Sequence, residues 1–93
     1  MEFLPLYIDI TNQPVLVVGA GEIGLRKTRL LLEAGVSVTV IGEEVDHGFS
    51  TLPKVGLTVV ARAFDVADIQ GVRLVIAATD DETLNDVIFQ ACE

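Results

Sequence analysis

Pro14-Val15-Leu16-Val17-Val18-Gly19-Ala20-Gly21-Glu22-Ile23-Gly24 is the stretch that decides the fold. Its first half is a short apolar run, rich in β-branched residues, that reads as a buried strand. The strand runs without a gap into glycine, and residues 22–34 then carry the periodicity of a helix. At about 100° per residue, Gly24, Thr28, Leu31 and Gly35 share one narrow face, with Arg26, Arg29 and Glu33 opposite. Such a helix packs one side on something flat and offers the other to water. Gly35 stands just past its last good helix former, where a C-cap glycine belongs.

Outward from this unit, strand and helix signals alternate. Residues 4–10 form an apolar, β-branched lead-in, and Thr11-Asn12-Gln13-Pro14 is turn material. Residues 36–41, β-branched at five of six positions, form a second strand. Residues 44–52 carry a weaker helix signal that Pro53 ends. Residues 57–61 form a third strand, 64–71 an irregular stretch or single turn, 73–78 a fourth strand, and 80–92 a second clear helix. This alternation specifies an α/β fold with a parallel sheet. Right-handed crossovers favour a Rossmann-like strand order 3-2-1-4 with helices on both faces. The expectation is one domain over residues 1–93. It supplies one half of a doubly wound sheet and the start of the other, so the domain is either reduced or continues past Glu93.

Composition fits that architecture and narrows the partners. Hydrophobic residues make up 51% and aromatics 5%, so the apolar content is mostly aliphatic, as buried parallel strands require. Net charge is −8, from 14 acids against 6 bases, which argues against a nucleic acid or an anionic membrane surface as partner. One cysteine, Cys92, cannot form an internal disulfide, so a reducing compartment is expected. The first residues show no basic segment leading into a long apolar run, and the longest apolar stretches, such as residues 74–78, are far too short to span a bilayer. The expected location is cytoplasmic.

Gly19-Ala20-Gly21-Glu22-Ile23-Gly24 is a full G-x-G-x-x-G between a strand and a helix, the context that gives the pattern meaning. Gly19 permits the tight exit from the strand. Gly21, without a Cβ, lets a diphosphate approach the backbone, and Gly24 lets the helix lie close on the sheet. The phosphates would rest on free amides where the helix dipole is positive. Glu22 suits that dipole as a first-turn acid, and its side chain can point to solvent while its amide serves the ligand. The bland alternative is a glycine-rich turn with no ligand.

A ribose-binding acid belongs about 20 residues past the glycines, at the end of the second strand. Glu43 and Glu44 fall there, although Gly42 directly follows the strand. Two carboxylates, with no Arg after this strand to meet a 2′-phosphate, favour NAD over NADP; the alternative is a solvated acidic loop. At the tip of the fourth strand, Ala77-Ala78-Thr79-Asp80-Asp81-Glu82 has small residues where an open α/β sheet binds its ligand. The backbone at Ala78 and Thr79 is the candidate contact. The carboxylates there read better as structure, with Thr79 and Glu82 spaced as a capping box.

Three other signals are weak. His47, near Glu43, Glu44 and Asp46, is a lone imidazole without a second ligand group at fixed spacing, so no metal site is expected. Cys92 reads as a buried helix residue, and Lys27, toward the apolar arc of the first helix, as a snorkelling stem.

Taken together, Phe3-Leu4-Pro5-Leu6-Tyr7, the strand and turn from Pro14 to Lys27, Leu30-Leu31-Leu32-Glu33-Ala34-Gly35 and Ile76-Ala77-Ala78-Thr79-Asp80-Asp81-Glu82-Thr83-Leu84-Asn85 resemble the N-terminal domain of the siroheme synthase family. The resemblance runs over nearly the whole chain and rests on two separate motifs. It implies NAD⁺-dependent oxidation of precorrin-2, a tetrapyrrole, to sirohydrochlorin, by a homodimer; many members also insert Fe²⁺ as ferrochelatases, and in the longest a methyltransferase follows in the same chain. It implies cofactor contacts at Glu22, Ile23, Glu43 and Glu44, and it tolerates alanine at Gly24. The family's catalytic aspartate belongs to an Asn-Val-Val-Asp-like strand beyond the second helix. The resemblance therefore implies that this chain is the cofactor part of a longer enzyme, inactive alone.

Two other classes share these features. A nucleotide-sensing regulatory module would bind NAD without chemistry, but usually places an acid directly after strand two, where Gly42 stands here. An interaction domain with a vestigial turn would bind no dinucleotide.

Overall fold

The computed structural model describes residues 14–92. The lead-in at residues 4–10, the Phe3-Leu4-Pro5-Leu6-Tyr7 stretch and the turn residues Thr11, Asn12 and Gln13 lie outside the described residues. Four short strands, β1 (Val15–Val18), β2 (Val38–Ile41), β3 (Leu57–Val60) and β4 (Leu74–Ala77), pair in parallel as one sheet of order β3-β2-β1-β4. Helix α1 (Glu22–Glu33) joins β1 to β2, and α2 (Glu82–Cys92) follows β4. The weaker helix signal is a 3₁₀ turn at His47–Thr51, and the irregular stretch holds another at Val66–Ile69. The sheet is thus the expected one, with strand order 3-2-1-4.

The central position of β1 follows from its residues. Val15, Leu16, Val17 and Val18 are all buried and pair with Val38 to Ile41 on one side and Leu74 to Ala77 on the other. Successive side chains of a strand point to opposite faces, and the two faces here feed two cores. Val15 and Val17 pack with Leu25 of α1, Val40 of β2, and Phe49 and Leu52 at the first 3₁₀ turn. Leu16 and Val18 pack with Ile41 and with Ile88 of α2, flanked by Phe64, Ile69 and Val75. A strand covered on both faces gains from being apolar at every position, which is why β1 shows no alternation in its sequence.

Helix α1 ends as its sequence predicts. Gly35 has φ +80°, its amide donates to Leu32 O at 3.0 Å, and the Val36 amide donates to Leu31 O at 3.1 Å. This pair of bonds is a Schellman motif, and the left-handed residue in it favours glycine. Val36 is therefore spent on closing the helix, and β2 begins at Val38 rather than at residue 36.

Three local expectations are corrected. Cys92 is exposed rather than buried. It continues the side of α2 that carries Leu84 and Ile88, but an 11-residue helix is longer than the four-residue strands beneath it, so the last turn passes the sheet. Lys27 is exposed, because the apolar arc of α1 is centred on Gly24, Leu25 and Thr28. The cap of α2 is Asp81 rather than Thr79, as described below. Among the described residues, no helix is long and apolar enough to cross a membrane.

Candidate functional site

The glycine turn is built by contacts that no larger residue could make. Gly19 continues the β1 ladder, its amide donating to Ile41 O at 2.8 Å, and then turns away with φ +119°. A Cβ on Gly19 would stand 2.3 Å from Ala78 O, and one on Gly24 would stand 1.9 Å from Gly19 O. Helix α1 therefore rests backbone on backbone against the end of β1. Alanine at Gly24, which the family resemblance tolerated, has no room here.

Gly21 differs from both. A Cβ added there would meet nothing within 4 Å. As the N-cap of α1 it offers no side-chain hydrogen bond, and the first amide to find a carbonyl one turn back is Leu25, donating to Gly21 O at 2.9 Å. The first turn of a helix leaves its amides without intrahelical partners. Among the described residues, no side-chain hydrogen bond caps them in α1.

Next to this turn, the end of β2 explains its own departure from the usual pattern. A Cβ on Gly42 would lie 2.7 Å from Ala20 Cβ and 2.8 Å from Ala20 N. The glycine turn presses against β2 where an acid would otherwise stand, so side chains resume only at Glu43 and Glu44. Both glutamates are exposed. The loop is fixed beneath them: the Asp46 amide donates to Ala20 O at 2.8 Å, and the Asp46 carboxylate accepts from Gly48 N at 2.8 Å. Asp46 is thereby occupied as a cap, His47 is exposed, and no three metal-ligating side chains gather among the described residues.

The tip of β4 closes the other side. Ala78 is buried and its amide donates to Val18 O at 2.8 Å, extending the ladder past Ala77, which is exposed. Thr79 Oγ1 accepts from the Asp81 amide at 2.9 Å, and Asp81 Oδ1 accepts from the Leu84 amide at 3.1 Å. Asp81 is thus the cap of α2, two residues later than the Thr79–Glu82 spacing suggests, because Thr79 turns the chain instead. From one turn into α2, Asn85 Nδ2 donates to Thr79 O at 3.0 Å and pins the strand tip.

These pieces surround one cleft of about 640 Å³ at the carboxyl ends of the strands. Gly19, Ala20, Gly21, Glu22 and Ile23 line it from the turn, Glu43 and Glu44 from the loop after β2, and Ala78 and Thr79 from the segment just past β4. Of the predicted site residues only Gly24 is absent from the lining, since it lies under the turn it supports. The volume is within the usual range for small-molecule sites. Sequence reasoning missed Arg62, Ala63 and Phe64, which line the cleft from the loop after β3. Arg62 is bound bidentately to Asp68 of the second 3₁₀ turn, Nη1 to Oδ2 at 2.9 Å and Nη2 to Oδ1 at 2.6 Å. The hydrogen bond from Arg62 holds the Asp68 carboxyl below the usual carboxylate range. Bound in this way to Asp68, the Arg62 guanidinium is raised above its ordinary value.

Known proteins with the same features were found at three levels. The sequence family described as "Putative NAD(P)-binding" matches residues 6–93. A siroheme synthase of Actinobacillus pleuropneumoniae serotype 3 (strain JL03) is 42% identical over 94 aligned residues, covering 100% of this chain and 19% of that protein. A siroheme synthase of Pseudomonas putida (strain W619) is 49% identical over 86 residues, covering 91% of this chain and 18% of that protein. The chain thus spans about a fifth of the length of these curated relatives. Among solved structures, "SirC, precorrin-2 dehydrogenase" superposes with a TM-score of 0.83 at 26% identity, covering 94% of this chain and 44% of that one.

Proposed function

The chain belongs to the NAD(P)-binding family found as the N-terminal domain of siroheme synthase and precorrin-2 dehydrogenase, and from that premise we propose that it binds NAD⁺ and forms the cofactor part of an enzyme oxidising precorrin-2 to sirohydrochlorin. The observation that carries the reading is the turn at residues 19–24. It presents uncapped helix amides to the cleft, and at Gly21 nothing stands between backbone and ligand.

The residues present fit a dinucleotide. Amides of the first turn of α1 serve the diphosphate, aided by the positive end of the helix dipole. Glu43 or Glu44 accepts from the hydroxyls of the adenosine ribose. The backbone at Ala78 and Thr79, held by Asn85, forms the floor between β1 and β4, where doubly wound sheets bind ligands. NAD⁺ held by these residues would supply the hydride acceptor for oxidation of the tetrapyrrole. This chain's own contribution would be to bind and orient the coenzyme. A cytoplasmic homodimer is the form this reading implies.

Calorimetric titration of NAD⁺ into the chain tests the binding: saturable heat is expected, and no heat from a folded sample favours an interaction domain. NAD⁺-dependent formation of sirohydrochlorin, followed by absorbance with the longer enzyme, separates a dehydrogenase from a sensor. Binding without conversion would favour the sensor.

A further inference from the structure

We propose that Asp68 keeps Arg62 engaged as an internal partner and so sets the cleft's preference for NAD⁺ over NADP⁺. This inference rests on the dinucleotide-binding reading above and concerns which dinucleotide that same cleft accepts.

The two coenzymes differ by one phosphate on the 2′ oxygen of the adenosine ribose. That oxygen is met at the end of the second strand in sheets of this kind, where an acid selects the hydroxyl and an arginine nearby accommodates the phosphate. The sheet register brings both residue types to this place. Ile41 of β2 pairs with Val60 of β3, so Glu43 and Arg62 each lie two residues past the last pair, on neighbouring strands. The Gly42 and Arg62 amides both donate to Val60 O at 3.1 Å, which fixes the two exits relative to one another. Sequence alone showed no arginine after β2. The arginine arrives from β3.

Arg62 is the one basic residue in the described lining of the cleft, which it shares with Glu22, Glu43, Glu44, Asp80 and Asp81. Its fork, however, is already used. Asp68 takes Nη1 and Nη2 with its two oxygens, and Nη1 also donates to Ala63 O at 3.0 Å. A guanidinium and a carboxylate paired fork to fork satisfy each other's geometry as well as charge. Asp68 is itself anchored, since its Oδ2 accepts from the Asp65 amide at 2.8 Å within the capping box of the 3₁₀ turn. The Asp68 side chain is 12% exposed and the Arg62 side chain 47%. The acid is thus the sheltered, fixed partner, and the base is the one that reaches the cleft. A 2′-phosphate entering beside Glu43 would have to take Arg62 from a carboxylate that the backbone holds in place. A 2′-hydroxyl makes no such demand.

The test measures affinity for both coenzymes by calorimetry on the full chain, with 2′,5′-ADP and 5′-AMP as fragments that isolate the 2′ group. Wild type is expected to favour NAD⁺. Asp68→Asn removes the competing charge while keeping the side chain's size, and NADP⁺ should gain about tenfold relative to NAD⁺, the scale of a charge-assisted hydrogen bond in a partly exposed site. Asp68→Glu should keep the wild-type ratio, and adding Arg62→Gln to Asp68→Asn should abolish the gain. An unchanged ratio in folded Asp68→Asn overturns the proposal. So does a loss of about tenfold in NADP⁺ affinity, with NAD⁺ affinity retained, in the single variant Arg62→Gln, because the guanidinium would then already serve the phosphate; this arm stands even if Asp68→Asn fails to fold. If wild type binds neither coenzyme, the dinucleotide reading itself fails, and this proposal with it.

Discussion

Gly24→Ala adds one methyl group where the structure has no space for it. The added carbon would stand 1.9 Å from Gly19 O and 2.8 Å from Gly19 C. A carbon normally stays about 3.4 Å from a carbonyl oxygen, so the contact is short by about 1.5 Å. Gly19 cannot easily retreat: its amide is bonded to Ile41 O, and the space beyond it is taken by the Ala78 carbonyl. The first turn of α1 must therefore lift, and Leu25 and Thr28, both buried against the sheet, move with it. Two effects oppose each other. Alanine gains at most about 1 kcal/mol over glycine, the value for a helix interior, and Gly24 stands in the first turn. Overpacking costs about 1–3 kcal/mol, and contact with backbone rather than a flexible side chain places this case at the upper end. The net loss is about 2 kcal/mol, which for a domain of this size lowers the melting temperature by roughly 8–16 °C. Thermal unfolding followed by circular dichroism measures it, and NAD⁺ affinity should fall with it because the amides shift. A melting temperature equal to or above wild type would refute the reasoning, for helix propensity would then outweigh the contact.

The remaining variants separate folding from binding. Gly21→Ala places its methyl in open space on backbone of φ −83°, so stability should stay within about 0.5 kcal/mol while NAD⁺ affinity falls about tenfold or more; unchanged affinity by calorimetry would remove the site. Gly35→Ala forces a left-handed residue with no gain in contacts and should cost about 1 kcal/mol in urea denaturation, with NAD⁺ affinity preserved. With five carboxylates lining the cleft and a net charge of −8, raising salt toward about 0.15 M should hold or strengthen NAD⁺ binding. A pronounced weakening would show that cations rather than amides hold the phosphates. Asp68 has a depressed carboxyl pKa in the folded chain, so its pairing stabilises above the usual carboxylate range and is lost as pH falls through and below it. The stability difference between wild type and Asp68→Asn should accordingly shrink on acidification, as read from urea midpoints.

What could be read directly from the residues was whatever is decided locally. The β1 strand, the glycine turn, the start of α1 and the Gly35 cap each depend on a few adjacent residues, and all stand where the pattern placed them. The strand order followed from chirality, which needs only the sequence of elements. What escaped were contacts between distant segments. Gly42 looked like a missing acid, yet it is small because Ala20 presses on it from another loop. Arg62 and Phe64 lie about 40 residues from the glycine turn and enter the cleft only because β3 sits beside β2. Asp81 rather than Thr79 caps α2, a choice between neighbouring oxygens that spacing alone does not make.

The seat of Gly24 on Gly19 makes the cradle's outline a property of main-chain atoms, which every amino acid shares. Side-chain exchanges elsewhere in the domain can therefore retune the cleft without remoulding its anchor. For anyone wishing to redirect such a domain to a different coenzyme, the editable positions are the few that project from the strand tips, Glu43 and Arg62 foremost, while the turn between Gly19 and Gly24 is the part to leave untouched.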